Sequence, residues 1–172
     1  LTANKGSTER VGAGGVFTVT CVGADGVEKW SDTFYNLVVN QGLQDMNDKY
    51  FKASGYTAVW YLGLVTGPGS STTYAAADTL ASHAGWTEFV NYTVGGSAVR
   101  GTASFSSATS TGTTPTNVTT KTATAITYTI TGAGGTVGGC FLVTGSGASS
   151  TQSNTSGTLY SAGAFSTAKV TT

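Results

Sequence analysis

The sequence predicts a mainly β protein, an antiparallel β-sandwich with one short helix near residues 36–52, and two observations carry that prediction. Threonine (33), glycine (25) and serine (18) together make 76 of the 172 residues. Threonine branches at Cβ, which restricts χ1 and favours extended backbone, while glycine supplies turns. The second observation is rhythm: short runs alternating with period two, separated by turn signals, recur along the chain, as in sandwiches and barrels. Low charge (9 %), 39 % hydrophobic content, eight tyrosines, seven phenylalanines and three tryptophans argue against disorder. The length suits one domain.

The elements follow in order. Residues 1–15 (LTANKGSTERVGAGG) are polar, glycine-rich and aperiodic, which predicts an N-terminal arm that orders only against something else, with a single sandwich domain over 16–172. Val16–Val22 reads as a strand, Ala24-Asp25-Gly26 as a turn and Val27–Phe34 as the returning strand of a hairpin. Residues 36–52 give the one convincing helix, with Asn36 as a possible N-cap, Leu37, Val38, Gln41, Met46 and Tyr50 able to share a face, and Gly42 as a weak point. The nearly continuous apolar run 56–65 (YTAVWYLGLV) predicts a strand covered on both faces, with Trp60 in the core, ended by Gly67-Pro68-Gly69. A second short helix is predicted at 75–84, then a strand pattern at 86–94. Further strands are expected at 98–106, 119–131, 139–144 and 158–166, with a polar loop at 107–116. In 119–131 the strict alternation turns Ile126, Tyr128 and Ile130 inward. No fixed-length repeat is visible, which argues against a solenoid or propeller.

Chemistry is sparse. Ordinary domains carry about a quarter of their residues charged, whereas residues 101–172 contain no Asp, Glu, Arg or His and only Lys121 and Lys169 as charged groups. Eight basic and eight acidic residues cancel, and the basic ones are scattered, so no footprint for nucleic acid exists. No run reaches the roughly 18–20 apolar residues of a membrane span, and residues 1–15 have no apolar core of a signal peptide. Cys21 and Cys140 are too far apart for metal-ligand spacing, so no metal or other cofactor is expected. A buried free thiol at each is the simpler reading, one disulfide the alternative. His83 is the sole histidine, and the adjacent Ser82 lacks a nucleophile-elbow pattern. Asp78 and Glu88 are the one pair considered for paired-acid chemistry. Gly12–Gly15 and Gly132–Gly135 lack the lysine and Ser/Thr of a phosphate loop. Three glycosylation sequons, at Asn91, Asn117 and Asn154, are of a kind that chance produces in so threonine-rich a chain. The expectation is a non-enzymatic protein that works through a packing surface.

The segment Phe34-Tyr-Asn-Leu-Val-Val-Asn-Gln-Gly-Leu43, leading into Ala58-Val-Trp-Tyr-Leu-Gly-Leu-Val65 and a Gly/Ser-rich loop, resembles virion structural proteins of tailed bacteriophages. Gly139-Cys-Phe-Leu-Val143 and 157–166 (GTLYSAGAFS) look like the closing strands of such proteins, so the resemblance touches about half the chain. Within that group the chain is most similar to capsid decoration, or cement, proteins. The resemblance implies a jelly-roll-like sandwich on the outer surface of the virion, made in the host cytoplasm. It implies binding to the major capsid protein to bridge its subunits, as a homo-oligomer (dimer or trimer); the charge and hydropathy pattern already argues against nucleic acid or membrane as partner. Contact residues are expected in the arm (Leu1, Thr2, Lys5, Arg10, Val11) and around Tyr74, Trp86 and Phe89, with Phe34 and Tyr35 as core supports. These positions rest on expected exposure. The alternative is a tail-fibre or other host-recognition module that binds carbohydrate through the aromatic stretch 74–92.

Overall fold

A computed structural model describes residues 13–56, 59–67, 72–110, 118–119 and 124–171. In chain order the elements are β1 (Val16–Val22), β2 (Glu28–Tyr35), β3 (Leu37–Val38), α1 (Asn40–Phe51), β4 (Trp60–Thr66), β5 (Thr87–Phe89), β6 (Tyr92–Thr93), β7 (Gly101–Thr102), β8 (Thr109–Ser110), β9 (Val118–Thr119), β10 (Thr129–Ile130), β11 (Gly135–Thr144) and β12 (Thr158–Thr171). The protein is mainly β, as its composition predicts, and every described strand pair is antiparallel.

The largest sheet runs β3-β12-β11-β4-β5, with β7 also paired to β4. Its central strands β4 and β11 alternate side chains between two apolar layers, as period-two geometry requires. On one face Val65, Phe141 and Val143 pack with Val39, Leu80 and Trp86. On the other, Leu64, Cys140 and Phe165 pack with Phe34, Phe89 and Tyr92. The β1–β2 hairpin lies over this second face as a separate two-stranded sheet, its Phe34 ring edge-on to Phe165 at 5.1 Å and its Trp30 edge-on to the same ring at 5.8 Å. These pairings establish an antiparallel sheet covered on both faces, consistent with a β-sandwich.

The hairpin forms where expected. Gly26 takes the left-handed conformation (φ 75°) that its turn needs, and the Asp25 carboxylate accepts the Val27 N–H at 3.0 Å. The helix, in contrast, starts later than predicted: it runs Asn40–Phe51 with Val39 at the cap and no side-chain cap bond. Leu37 and Val38 instead pair with Ala162 and Ser161 as an edge strand. Burying Val38 and Val39 in the sheet layers outweighs a local cap. Asn36 is used differently: its side chain accepts the Gly15 N–H at 2.6 Å and donates to Ser161 Oγ at 2.9 Å. Gly42 is what lets α1 lie against β12, because a Cβ there would collide with the Tyr160 carbonyl oxygen.

Three other predicted elements are corrected. Residues 75–84 form turns, not a helix, because the Asp78 carboxylate accepts the Ala75 N–H (3.0 Å) and so competes with helical bonding. The strand predicted at 98–106 shrinks to β7. The predicted strand 119–131 contributes β10, while 120–123 lie outside the described residues. Its alternation holds, since Ile126, Tyr128 and Ile130 are half-buried between exposed neighbours. Both cysteines are free, Cys140 buried and Cys21 half-buried. None of the helices among the described residues is long and apolar enough to cross a membrane.

Candidate functional site

The residues expected at a contact surface fall into two groups. Leu1, Thr2, Lys5, Arg10 and Val11 lie outside the described residues. Trp86 (5 % exposed) and Phe89 (4 %) are core residues, one in each apolar layer, and this corrects their expected exposure. Tyr74 is half-buried beside Trp86 and donates its hydroxyl to the Gly163 carbonyl at 3.2 Å. Burial, with smaller contributions from Cys140 and Asp78, pushes that hydroxyl's pKa up. Phe34 is a core residue as expected, whereas Tyr35, on the opposite face of β2, is 84 % exposed. The aromatic side chains of 74–92 are therefore buried or half-buried, while much of the backbone between them is at the surface.

The polar groups considered for chemistry are bound up in holding loops. Arg100 is 1 % exposed and grips Glu88 through Nε (2.9 Å) and one terminal nitrogen (2.7 Å). Its guanidinium also donates to the carbonyls of Ser149 and Asn154 and lies 5.0 Å from the centre of the Phe141 ring. Glu88 accepts the Ser153 N–H in addition. One bidentate pair thus pins the loop between β11 and β12 to β5, the planar fork satisfying several acceptors at once. Asp78 accepts the Trp86 indole N–H at 3.0 Å, and His83 stacks on Trp86 (3.7 Å, 15°) with Nδ1 2.8 Å from the Trp86 carbonyl. Asp78 and Glu88 thus each hold a separate piece of structure. No three His, Cys, Asp or Glu side chains gather to hold a metal among the described residues.

Several of the exposed apolar residues are aromatic, and three rings gather around Trp60. Trp60 opens β4 and pairs with Thr144, its carbonyl accepting the Ala103 N–H at 2.8 Å. That bond brings residues 103–105 alongside, and the Phe105 ring stands at 82° to Trp60, 5.3 Å away. On β12 the register steps from Leu142↔Ser161 to Val143↔Leu159, leaving Tyr160 as an extra residue. Such a bulge re-aims a side chain, and the Tyr160 ring meets Trp60 at 83° and 5.1 Å. Tyr56 completes the group, its hydroxyl accepting the Trp60 indole N–H at 3.0 Å. Tyr56 (59 %) and Phe105 (38 %) are exposed, and Trp60 and Tyr160 are half-buried. Burial first, and the Asp45 carboxylate second, raise the Tyr160 hydroxyl pKa. At the end of α1, Tyr50 and Phe51 form a further exposed edge-on pair at 4.9 Å.

Sequence reasoning misses this cluster because the run containing Trp60 reads as core throughout. The structure buries only its second half: Trp60, Tyr61 and Leu62 are half-buried, and Gly63, Leu64 and Val65 are buried. The bulge at Tyr160 leaves no trace in the residue pattern. Comparison with known protein families, curated proteins and solved structures finds no match to this chain.

Proposed function

We propose that the chain is a non-enzymatic virion structural protein that binds the outside of an assembled bacteriophage capsid and bridges neighbouring major capsid protein subunits. The observation that carries the reading is the partly exposed aromatic cluster around Trp60, in a chain whose buried polar side chains are committed to internal bonds. Aromatic residues on an otherwise charge-poor surface suit contact by buried area, and exposed apolar patches mark such sites. The capsid as partner comes from the resemblance of residues 34–43, 58–65, 139–143 and 157–166 to phage virion proteins. An interface of ordinary size, roughly 1,200–2,000 Å² in total, repeated over a shell adds stability by binding only the assembled state. Homo-oligomerisation as a dimer or trimer would let one molecule reach several subunits at a symmetry axis.

Cosedimentation with mature heads and with unexpanded shells, scored as copies per particle, tests the proposal. Saturable binding at many copies, selective for mature heads, is the expected result. Absence of binding, or a handful of copies at one vertex, overturns it and moves the assignment to the tail and host recognition.

A further inference from the structure

The β1–β2 hairpin has two unlike edges. β1 (VFTVTCV) pairs with β2 alone among the described strands, and it contains no charge and no proline, the usual guards of a strand edge. β2 differs: it holds Glu28, Lys29 and Asp32, and Asp32 is tied to β12 through Ser166 and Lys169. On the inner face of β1, Phe17, Val19 and Cys21 are only half-buried, although Phe17 and Val19 pack against the second apolar layer. Val16 and Val22, on its outer face, are exposed.

The sequence of β1 reads nearly the same in both directions. Val16 matches Val22, Thr18 matches Thr20, Phe17 matches Cys21 in being apolar, and Val19 stands at the centre. Such a strand is complementary to a second copy of itself run antiparallel, the isologous pairing of a two-fold dimer. The hydrogen-bond register agrees. The Asn36 N–H donates to the Gly15 carbonyl, one step beyond the pair Val16↔Tyr35, and Ser31 Oγ donates to the Val19 carbonyl, so the odd-numbered residues of β1 bond toward β2. Antiparallel bonding alternates, which turns the N–H and C=O groups of Val16, Thr18, Thr20 and Val22 outward. Centring the pairing on Val19 sets each of these opposite another of the same set, Val16 against Val22 and Thr18 against Thr20, and continues Phe17, Val19 and Cys21 along one face. We propose that the outer edge of β1 pairs with β1 of a second copy in this register, making a two-fold dimer with one four-stranded sheet across both hairpins. The dimer suits the homo-oligomeric role proposed above but needs no capsid. Measured on the isolated protein, its failure leaves the capsid reading standing, and failure of capsid binding leaves the dimer standing.

The test is sedimentation equilibrium of the full chain over about 1 µM to 1 mM, the range of weak interfaces. Concentration-dependent growth from 17.3 kDa toward twice that mass is expected. Thr20→Pro deletes an N–H that faces the second copy and none that faces β2, so it should weaken dimerisation by at least about tenfold, while Thr20→Ala keeps it. Val19→Cys in a Cys21→Ser background should cross-link two chains on oxidation, because a non-hydrogen-bonded pair brings the Cα atoms to about 4.5 Å. Wild-type Cys21, roughly 14 Å from its counterpart in this register, should not. If Thr20→Pro fails to fold, the cross-link alone decides. A monomer at every concentration or a trimer overturns the proposal, as does a dimer that Thr20→Pro leaves unchanged or that Val19→Cys fails to cross-link. A monomer that dimerises only once residues 1–12 are deleted also overturns it, and assigns the edge to the chain's own N-terminal segment.

Discussion

Trp86 and Trp60 are the same residue type in opposite roles. Trp86 is enclosed by His83, Tyr74 and Phe141, with its indole N–H given to the carboxylate of Asp78. Trp60 sits beside the half-buried Tyr160 and the exposed Phe105, with its N–H given to an exposed tyrosine hydroxyl. One tryptophan anchors a loop against the sheet, and the other keeps part of its ring at the surface. The difference lies in what surrounds each ring. The first ring is tied to a carboxylate, and the second to a neutral hydroxyl.

That contrast can be broken from either side. The largest stability effects belong to the buried region. Trp86→Ala removes a ring from a packed layer and frees Asp78, so a loss of about 3–5 kcal/mol is expected in denaturant unfolding. Arg100→Met leaves Glu88 buried without its cation and is expected to cost a similar amount, about 3–5 kcal/mol, with much of it regained when Glu88→Leu is added. If Arg100→Met unfolds at the wild-type midpoint, the clamp is not structural.

Gly42→Ala comes next, because the added methyl meets the Tyr160 carbonyl. Overpacking of this kind costs about 1–3 kcal/mol, and tilting α1 off β12 should also disturb the Tyr160 ring and hence the Trp60 signals.

Asp32 gives a smaller and pH-dependent effect. Burial alone would raise its pKa, but hydrogen bonds from Ser166 Oγ, Lys169 and the Ser166 N–H outweigh that and hold it below the ordinary 3.8. A depressed carboxyl contributes stability that is fully present above the unfolded value and is lost as pH falls through the lower folded value. Asp32→Asn should therefore cost about 1–2 kcal/mol near neutrality, and the gap to wild type should close as the solution is acidified below pH 4. A gap that stays constant into strong acid would assign the effect to shape and not to charge.

Trp60→Ala should perturb stability least, by no more than about 1 kcal/mol, since its ring is half open to water.

Much of the fold was readable in advance, and the reasons are local. The β1–β2 hairpin follows from Ala24-Asp25-Gly26 between alternating runs, and the inward set Ile126, Tyr128 and Ile130 from period two alone. What escaped prediction depends on tertiary contacts. Leu37 and Val38 suit a helix but find partners on β12, and residues 75–84 have helical spacing until Asp78 turns to Ala75 and Trp86. The exposure of Trp86 and Phe89 was misjudged for the same reason: aromatic residues in 74–92 look loop-like in sequence, while the sheet geometry encloses them. Exposure of Trp60 depends on where neighbouring strands end and on a one-residue bulge, and neither is written in the residue pattern.

The most direct test of the central claim is binding of folded Trp60→Ala to mature bacteriophage heads lacking this protein, measured beside wild type by copies bound at a series of concentrations. The expected result is an unfolding midpoint close to wild type and affinity weakened by about tenfold or more, as for a buried aromatic anchor at an interface. Saturable binding with unchanged affinity would contradict it, and would place the working surface of the protein away from Trp60.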